Sequence, residues 1–172
     1  MKYLFTIMIS VLSALSLMGC KSQKSSEHET DTDTTAVTQV QFNADSAFIS
    51  VEKQCSFGPR VPNSTAHDLC GDYIVSAFKA LGLEVTEQKT NQTAWDGKTL
   101  HTRNIIASYR PEVADRIIIC THWESRPWAD ADPDSTKHHE PVMAANDGAS
   151  GVAVMLEVAR HLNELKPNVG ID

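Results

Sequence analysis

The chain lacks an excess of positive charge, an internal repeat, and any long apolar run beyond its N-terminus. Lys and Arg total 15 against 22 Asp and Glu, a net charge of −7, and no basic stripe interrupts that background. Such a surface offers a polyanion little to hold, which excludes nucleic acid as a partner. The one apolar run, Leu4 to Met18, is too short and too promptly followed by polar residues to predict a membrane span. Cysteine is scarce, with 4 in the chain, so each has to be placed individually.

What is present at the N-terminus is an export signal. Met1-Lys2-Tyr3 supplies a charged start and Leu4–Met18 a short apolar core. The run closes in Leu17-Met18-Gly19-Cys20, which resembles the lipobox of bacterial lipoproteins. The expectation is a signal over residues 1–19, cleavage before Cys20 and acylation of its thiol. The alternative is an ordinary cleaved signal with an incidental cysteine. Residues 20–41 are Ser, Thr, Glu, Asp and Lys with little that is apolar, which predicts a flexible, lipid-anchored linker. The protein is thus expected to be exported and tethered to a membrane surface, in the periplasm or at the cell surface.

The folded part is expected over residues 42–172. Asn43 can cap a helix through Ala44–Glu52, and Gly58-Pro59-Arg60-Val61-Pro62-Asn63 forms a turn-rich connection. Asn63 or Ser64 then caps a second helix with apolar positions Leu69, Tyr73, Ile74, Ala77, Phe78 and Leu81, closed at Gly82. Leu83–Gln88 and Thr102–Tyr109 read as strands flanking an Asp96-Gly97 turn. The continuous apolar run from Arg116 to Thr121 predicts a central strand covered on both faces. A long helix runs from Ala149 to Leu165, Pro167 stops it, and Val169-Gly170-Ile171 begins another strand. Helices alternating with strands predict an α/β fold, a three-layer sandwich around a mixed β-sheet. Cys55 and Cys70 bracket the Gly/Pro/Asn loop of an exported protein, so a disulfide is expected there, with two buried free thiols as the alternative. Cys120 closes the Ile117-Ile118-Ile119 run and reads as a small buried side chain.

Two residues stand where chemistry is favoured. His122 lies just past the apolar strand, and ligands of open α/β sheets gather at the carboxyl ends of strands. Alone, a His there is more often a hydrogen-bonded structural residue. Asp147 precedes Gly148-Ala149-Ser150-Gly151 and opens the long helix, whose N-terminal dipole favours an anion. Its bland reading is an N-cap. Together, an imidazole and a carboxylate in this order make two donors of a zinc site. His138-His139 sits in an Asp- and Pro-rich stretch and reads as a solvated loop. Trp123 and Trp128 either line a pocket or anchor this loop.

The block Thr121-His122-Trp123-Glu124-Ser125-Arg126-Pro127-Trp128-Ala129-Asp130, with Asp132-Pro133-Asp134 and Pro141 through Arg160, resembles the bacterial glutaminyl-peptide cyclotransferases. These share a fold with zinc aminopeptidases. Phe57–Pro62 and His67–Gly71 also fit, so the likeness covers about Phe42 onward and corresponds to an N-terminal half. It implies a zinc-exopeptidase-like fold, truncated here, with zinc as cofactor and peptides bearing an N-terminal Gln as partners. It assigns Asp147 as a zinc ligand, and His122 as a ligand or a close neighbour of the metal. Where the family has Asp two residues after the His, this chain has Glu124, which would orient the imidazole. The family's general base and remaining ligands fall beyond Asp172, so no catalytic residue can be named. The resemblance therefore predicts weak zinc binding and no catalysis by these 172 residues, as a truncated reading of a longer gene. The rivals are a zinc aminopeptidase and a non-catalytic surface lipoprotein.

Overall fold

Side-chain caps set the helix starts. The structure, a computed structural model, describes residues 39–172; the expected signal, Cys20 and the linker up to residue 38 lie outside the described residues. Helix α1 (Ala44–Ser56) starts as predicted, with Asn43 Oδ1 accepting from Ser46 N at 2.9 Å. Helix α2 (Thr65–Ala80) is capped by Ser64, whose hydroxyl accepts from His67 N at 3.1 Å. Asn63 takes the left-handed conformation (φ 71°) and spends its side chain elsewhere. Its amide donates to Thr99 O and accepts from His101 N, both at 2.8 Å, stitching the connection to the sheet.

Strands β1 (Glu84–Thr93) and β2 (Thr99–Ser108) pair antiparallel, with Glu84 opposite Ser108 and Thr93 opposite Thr99. Both are longer than expected. The turn is closed by Ala94 N donating to Lys98 O at 2.8 Å, and Gly97 supplies its φ of 82° at no steric cost. Strand β3 (Arg116–Ile117) pairs parallel with β4 (Gly170–Ile171). Ile171 also exchanges two hydrogen bonds with Tyr109, at 2.8 and 3.1 Å. The strands thus form an antiparallel pair β1-β2 and a parallel pair β3-β4, linked by the Tyr109–Ile171 bridge, so both pairing senses expected of a mixed sheet are present.

Helix α3 (Ser150–Leu165) buries Val152, Leu156, Ala159 and Leu162. Lys166 ends it in the left-handed conformation, just before Pro167. The helices pack together as one layer, and the core of Cys70, Ile74, Phe78, Leu83, Trp123 and the α3 residues fills the space against the sheet. No helix among the described residues is long and apolar enough to cross a membrane.

Three expectations need correction. The strand predicted over Arg116–Thr121 is regular only at Arg116–Ile117, and Ile117 and Ile118 are 52% and 74% exposed. Nothing among the described residues covers those side chains, so an apolar run that reads as buried is not. Cys120 is exposed for the same reason. The disulfide expected between Cys55 and Cys70 is not formed, and both are free thiols. Cys70 instead faces the core beside Ile74 and Trp123, where burial pushes its thiol up to about 11 against an opposing pull from Arg60. A neutral thiol there behaves as a small apolar side chain.

Candidate metal centre

His122 leaves the sheet on the extended segment after β3, and Asp147 lies on a kinked turn (Ala145–Ala149) leading into α3. Asp147 (φ −88°, ψ 86°) is not helical, so its carboxylate is aimed outward and does not cap the helix. Two glycines let these segments approach. Gly148 (φ 115°) has a conformation that L side chains rarely adopt, and a Cβ there would lie 3.1 Å from both Glu124 O and His122 Cε1. A Cβ on Gly151 would collide with the Thr121 side chain, so the first turn of α3 presses directly on the segment bearing His122.

The result is a close pair. His122 Nε2 stands 2.9 Å from Asp147 Oδ1, with both side chains half-exposed or more. The other ring nitrogen, Nδ1, lies 3.1 Å from Glu124 O. A carbonyl only accepts, so Nδ1 carries the hydrogen, and Nε2 is the nitrogen that faces Asp147. An imidazole lone pair and a carboxylate at that separation repel unless a proton or a metal ion lies between them. Zinc selects this donor type, His nitrogen with carboxylate oxygen. The two donors thus fit the ion chemically but supply fewer than the three protein ligands of a catalytic zinc site. No group of three or more His, Cys, Asp or Glu among the described residues is placed to hold a metal.

Glu124 departs from its expected role. Its backbone carbonyl contacts the imidazole, while its carboxylate stands 3.6 Å from Nδ1 and accepts from Trp123 N at 3.2 Å. With Pro62, Ser125, Arg126 and Pro127, the three acid–base residues line a cleft of about 260 Å³.

The sequence around this pair is similar to that of known proteins. Residues 104–172, which carry both His122 and Asp147, match the model of Peptidase family M28. The likeness to that family covers the C-terminal part of this chain. Its fold superposes on a leucine aminopeptidase precursor from Bacteroides thetaiotaomicron VPI-5482 (TM-score 0.77, 50% identity, 78% of this chain and 47% of that one). It superposes equally on the glutaminyl cyclase of Bacteroides thetaiotaomicron (TM-score 0.77, 49% identity, 78% and 46%). A glutaminyl-peptide cyclotransferase of Drosophila melanogaster is 28% identical over 110 residues, 63% of this chain and 28% of the fly protein. The chain spans less than half the length of each of these proteins. The zinc-exopeptidase-like fold is thereby shown.

Around the pair the remaining sequence readings separate. Trp123 is buried, stacks on His67 with ring centroids 4.1 Å apart, and donates Nε1–H to Arg103 O at 3.3 Å. It anchors the loop, whereas Trp128 is 40% exposed. Burial holds the His67 imidazole below its usual value, despite Asp68 beside it, so the stacked ring is neutral. His138 donates to Asp132 O at 2.8 Å inside its own surface loop and does not approach His122 or Asp147 by any hydrogen bond. Sequence reasoning missed Arg60 and Gln54, both wholly buried. Gln54 donates to Ala149 O at 2.9 Å, at the root of the site. Both fall in stretches read as helix end and turn, and the only signal available was a charged residue between two prolines.

Proposed function

We propose that this chain contributes the first half of a zinc-assisted glutaminyl-peptide cyclotransferase. The reaction converts an N-terminal glutamine to pyroglutamate: the peptide's own amine bonds to the side-chain carboxamide carbon, and ammonia leaves. The observation that carries the reading is the 2.9 Å approach of His122 Nε2 to Asp147 Oδ1, two donors of the kind zinc takes, in a fold superposable on a glutaminyl cyclase. His122 and Asp147 would hold the ion. When bound, zinc acts as a Lewis acid on the carboxamide oxygen. Glu124 O keeps the hydrogen on Nδ1 and so keeps the Nε2 lone pair directed at the metal position. None of the carboxylates brought to this cleft is assigned the proton transfer, so the 172 residues by themselves bind zinc weakly and do not turn over.

Zinc titration of the chain tests this reading. Binding that Asp147→Asn abolishes supports it, as does ammonia release from a Gln-peptide only by a polypeptide extended past Asp172. Zinc binding indifferent to Asp147→Asn would sink it. The neighbouring leucine aminopeptidase precursor, at 50% identity, favours a second reading, peptide hydrolysis with water as nucleophile. Two tightly held zinc ions and free amino acid as product would select it. The signal and Cys20 support an exported, lipid-anchored protein; incorporation of labelled fatty acid, lost in Cys20→Ala, checks this.

A further inference from the structure

Arg60 is wholly buried, and among the described residues its guanidinium makes no hydrogen bond to a carboxylate. Every bond it donates goes to a backbone carbonyl. Nε reaches Trp123 O at 3.1 Å, Nη1 reaches Met143 O at 2.8 Å and, more weakly, Gly58 O at 3.5 Å, and Nη2 reaches Ala144 O at 2.8 Å. Its own carbonyl accepts from Ser125 N at 3.0 Å. Taking a guanidinium out of water is costly unless its donors are met, and here they are met by dipoles from three separate stretches of chain.

Those stretches are the two that carry the site and the turn that carries Arg60. Trp123 O and Ser125 N flank Glu124 and follow His122 directly, so Arg60 grips the imidazole's segment on both sides of the residue that orients the ring. Met143 and Ala144 lead into the kinked turn that ends at Asp147. Ala144 is held in the left-handed conformation (φ 54°), unfavourable for a residue with a Cβ. The planar fork sets the distance between the two segments, and a single-point ammonium cannot reach three carbonyls in fixed directions.

We infer that Arg60 is the positioning residue that sets the separation of His122 and Asp147, and through it the affinity for the metal. The inference rests on the reading of that pair as zinc donors. The test is the zinc dissociation constant of the whole chain, measured by chelator competition beside its thermal midpoint, for wild type, Asp147→Ala, Arg60→Lys and Leu162→Ala. Leu162 lies in the core of α3, so its truncation lowers stability without touching the clamp.

Arg60→Lys is expected to weaken zinc about 10–100-fold, the usual cost of losing a residue that orients ligands. Leu162→Ala is expected to lower the midpoint and leave affinity within about twofold, well inside that cost. Wild-type affinity in folded Arg60→Lys overturns the inference, as does equal weakening in both variants. Should Arg60→Lys not fold, the Arg60 Nε–H resonance of wild type decides. Zinc should shift it and slow its exchange, with no effect in Asp147→Ala; an unmoved resonance at saturating zinc overturns the inference. Failure of the functional reading looks different: wild type and Asp147→Ala then bind zinc equally or not at all, which removes the foundation of the inference as well.

Discussion

Among the described residues two charges are buried completely, Arg60 beside the site and Glu157 in the seam between α1 and α3, and they are satisfied in opposite ways. Glu157 draws mostly on its own helix: Arg160 Nε and His161 Nε2 donate to it at 2.8 and 3.1 Å, and Asn43 N adds a bond at 2.9 Å from the start of α1. Burial would raise its carboxyl, but those three donors outweigh it and hold the group below the usual range. Arg60 has no charged partner by hydrogen bond among the described residues and gathers carbonyls more than 60 residues away along the chain. A charge compensated by local partners stabilises a helix and its neighbour. One compensated by distant backbone sets the geometry between segments. The first is expected to govern folding and the second the metal pair.

The largest effect should come from breaking the seam. Glu157→Ala strands Asn43 N–H and leaves a cavity, and is expected to cost roughly 3 kcal/mol in urea unfolding while leaving zinc affinity unchanged. Glu157→Met, of similar volume, should cost less, which would show that the ionic partners are replaceable there as they are not around Arg60.

Alkaline pH is the next lever. The folded pKa of Cys70 is raised to about 11 from a usual 9.0, so the folded state favours the neutral thiol. Stability from this term is full below about pH 9 and is lost as pH rises through 11, about 2–3 kcal/mol in all. Unfolding free energies compared between pH 8 and pH 11 should therefore fall more steeply in wild type than in Cys70→Ala. Parallel slopes in the two proteins would contradict a buried, unbridged thiol.

Gly148→Ala sharpens the comparison on the site side. Its φ of 115° and the 3.1 Å approaches to His122 and Glu124 predict a loss of about 1–3 kcal/mol, with zinc affinity falling too. Gly151→Ala should behave similarly, and adding Thr121→Ala should recover part of the stability, since the collision is with that side chain. The smallest effect belongs to Ser64→Ala, a lost helix cap worth about 1 kcal/mol and without influence on the metal pair. A larger drop in zinc affinity from Ser64→Ala than from Gly148→Ala would dissolve the distinction between folding and site geometry.

The helices, the hairpin and the residues worth watching were legible because their signals are local. Asn43 and Ser64 cap through bonds three residues on, Gly97 turns the hairpin, and the apolar spacing of Val152, Leu156, Ala159 and Leu162 marks the inner face of α3. His122 and Asp147 stood out for the same reason, one at a strand end and one before small residues at a helix start. Their 2.9 Å separation, the use of Glu124's carbonyl in place of its carboxylate, and the exposure of Ile118 and Cys120 were not legible. An apolar run predicts burial only when something covers it, and a segment 25 residues from its partner is placed by contacts made elsewhere. By itself the sequence determined which short stretches become helix or turn, since hydrogen bonds within a few residues decide that. Only the tertiary structure decided where the donors meet, because a buried guanidinium joining residues 60, 123 and 144 exists only once the chain has closed around it.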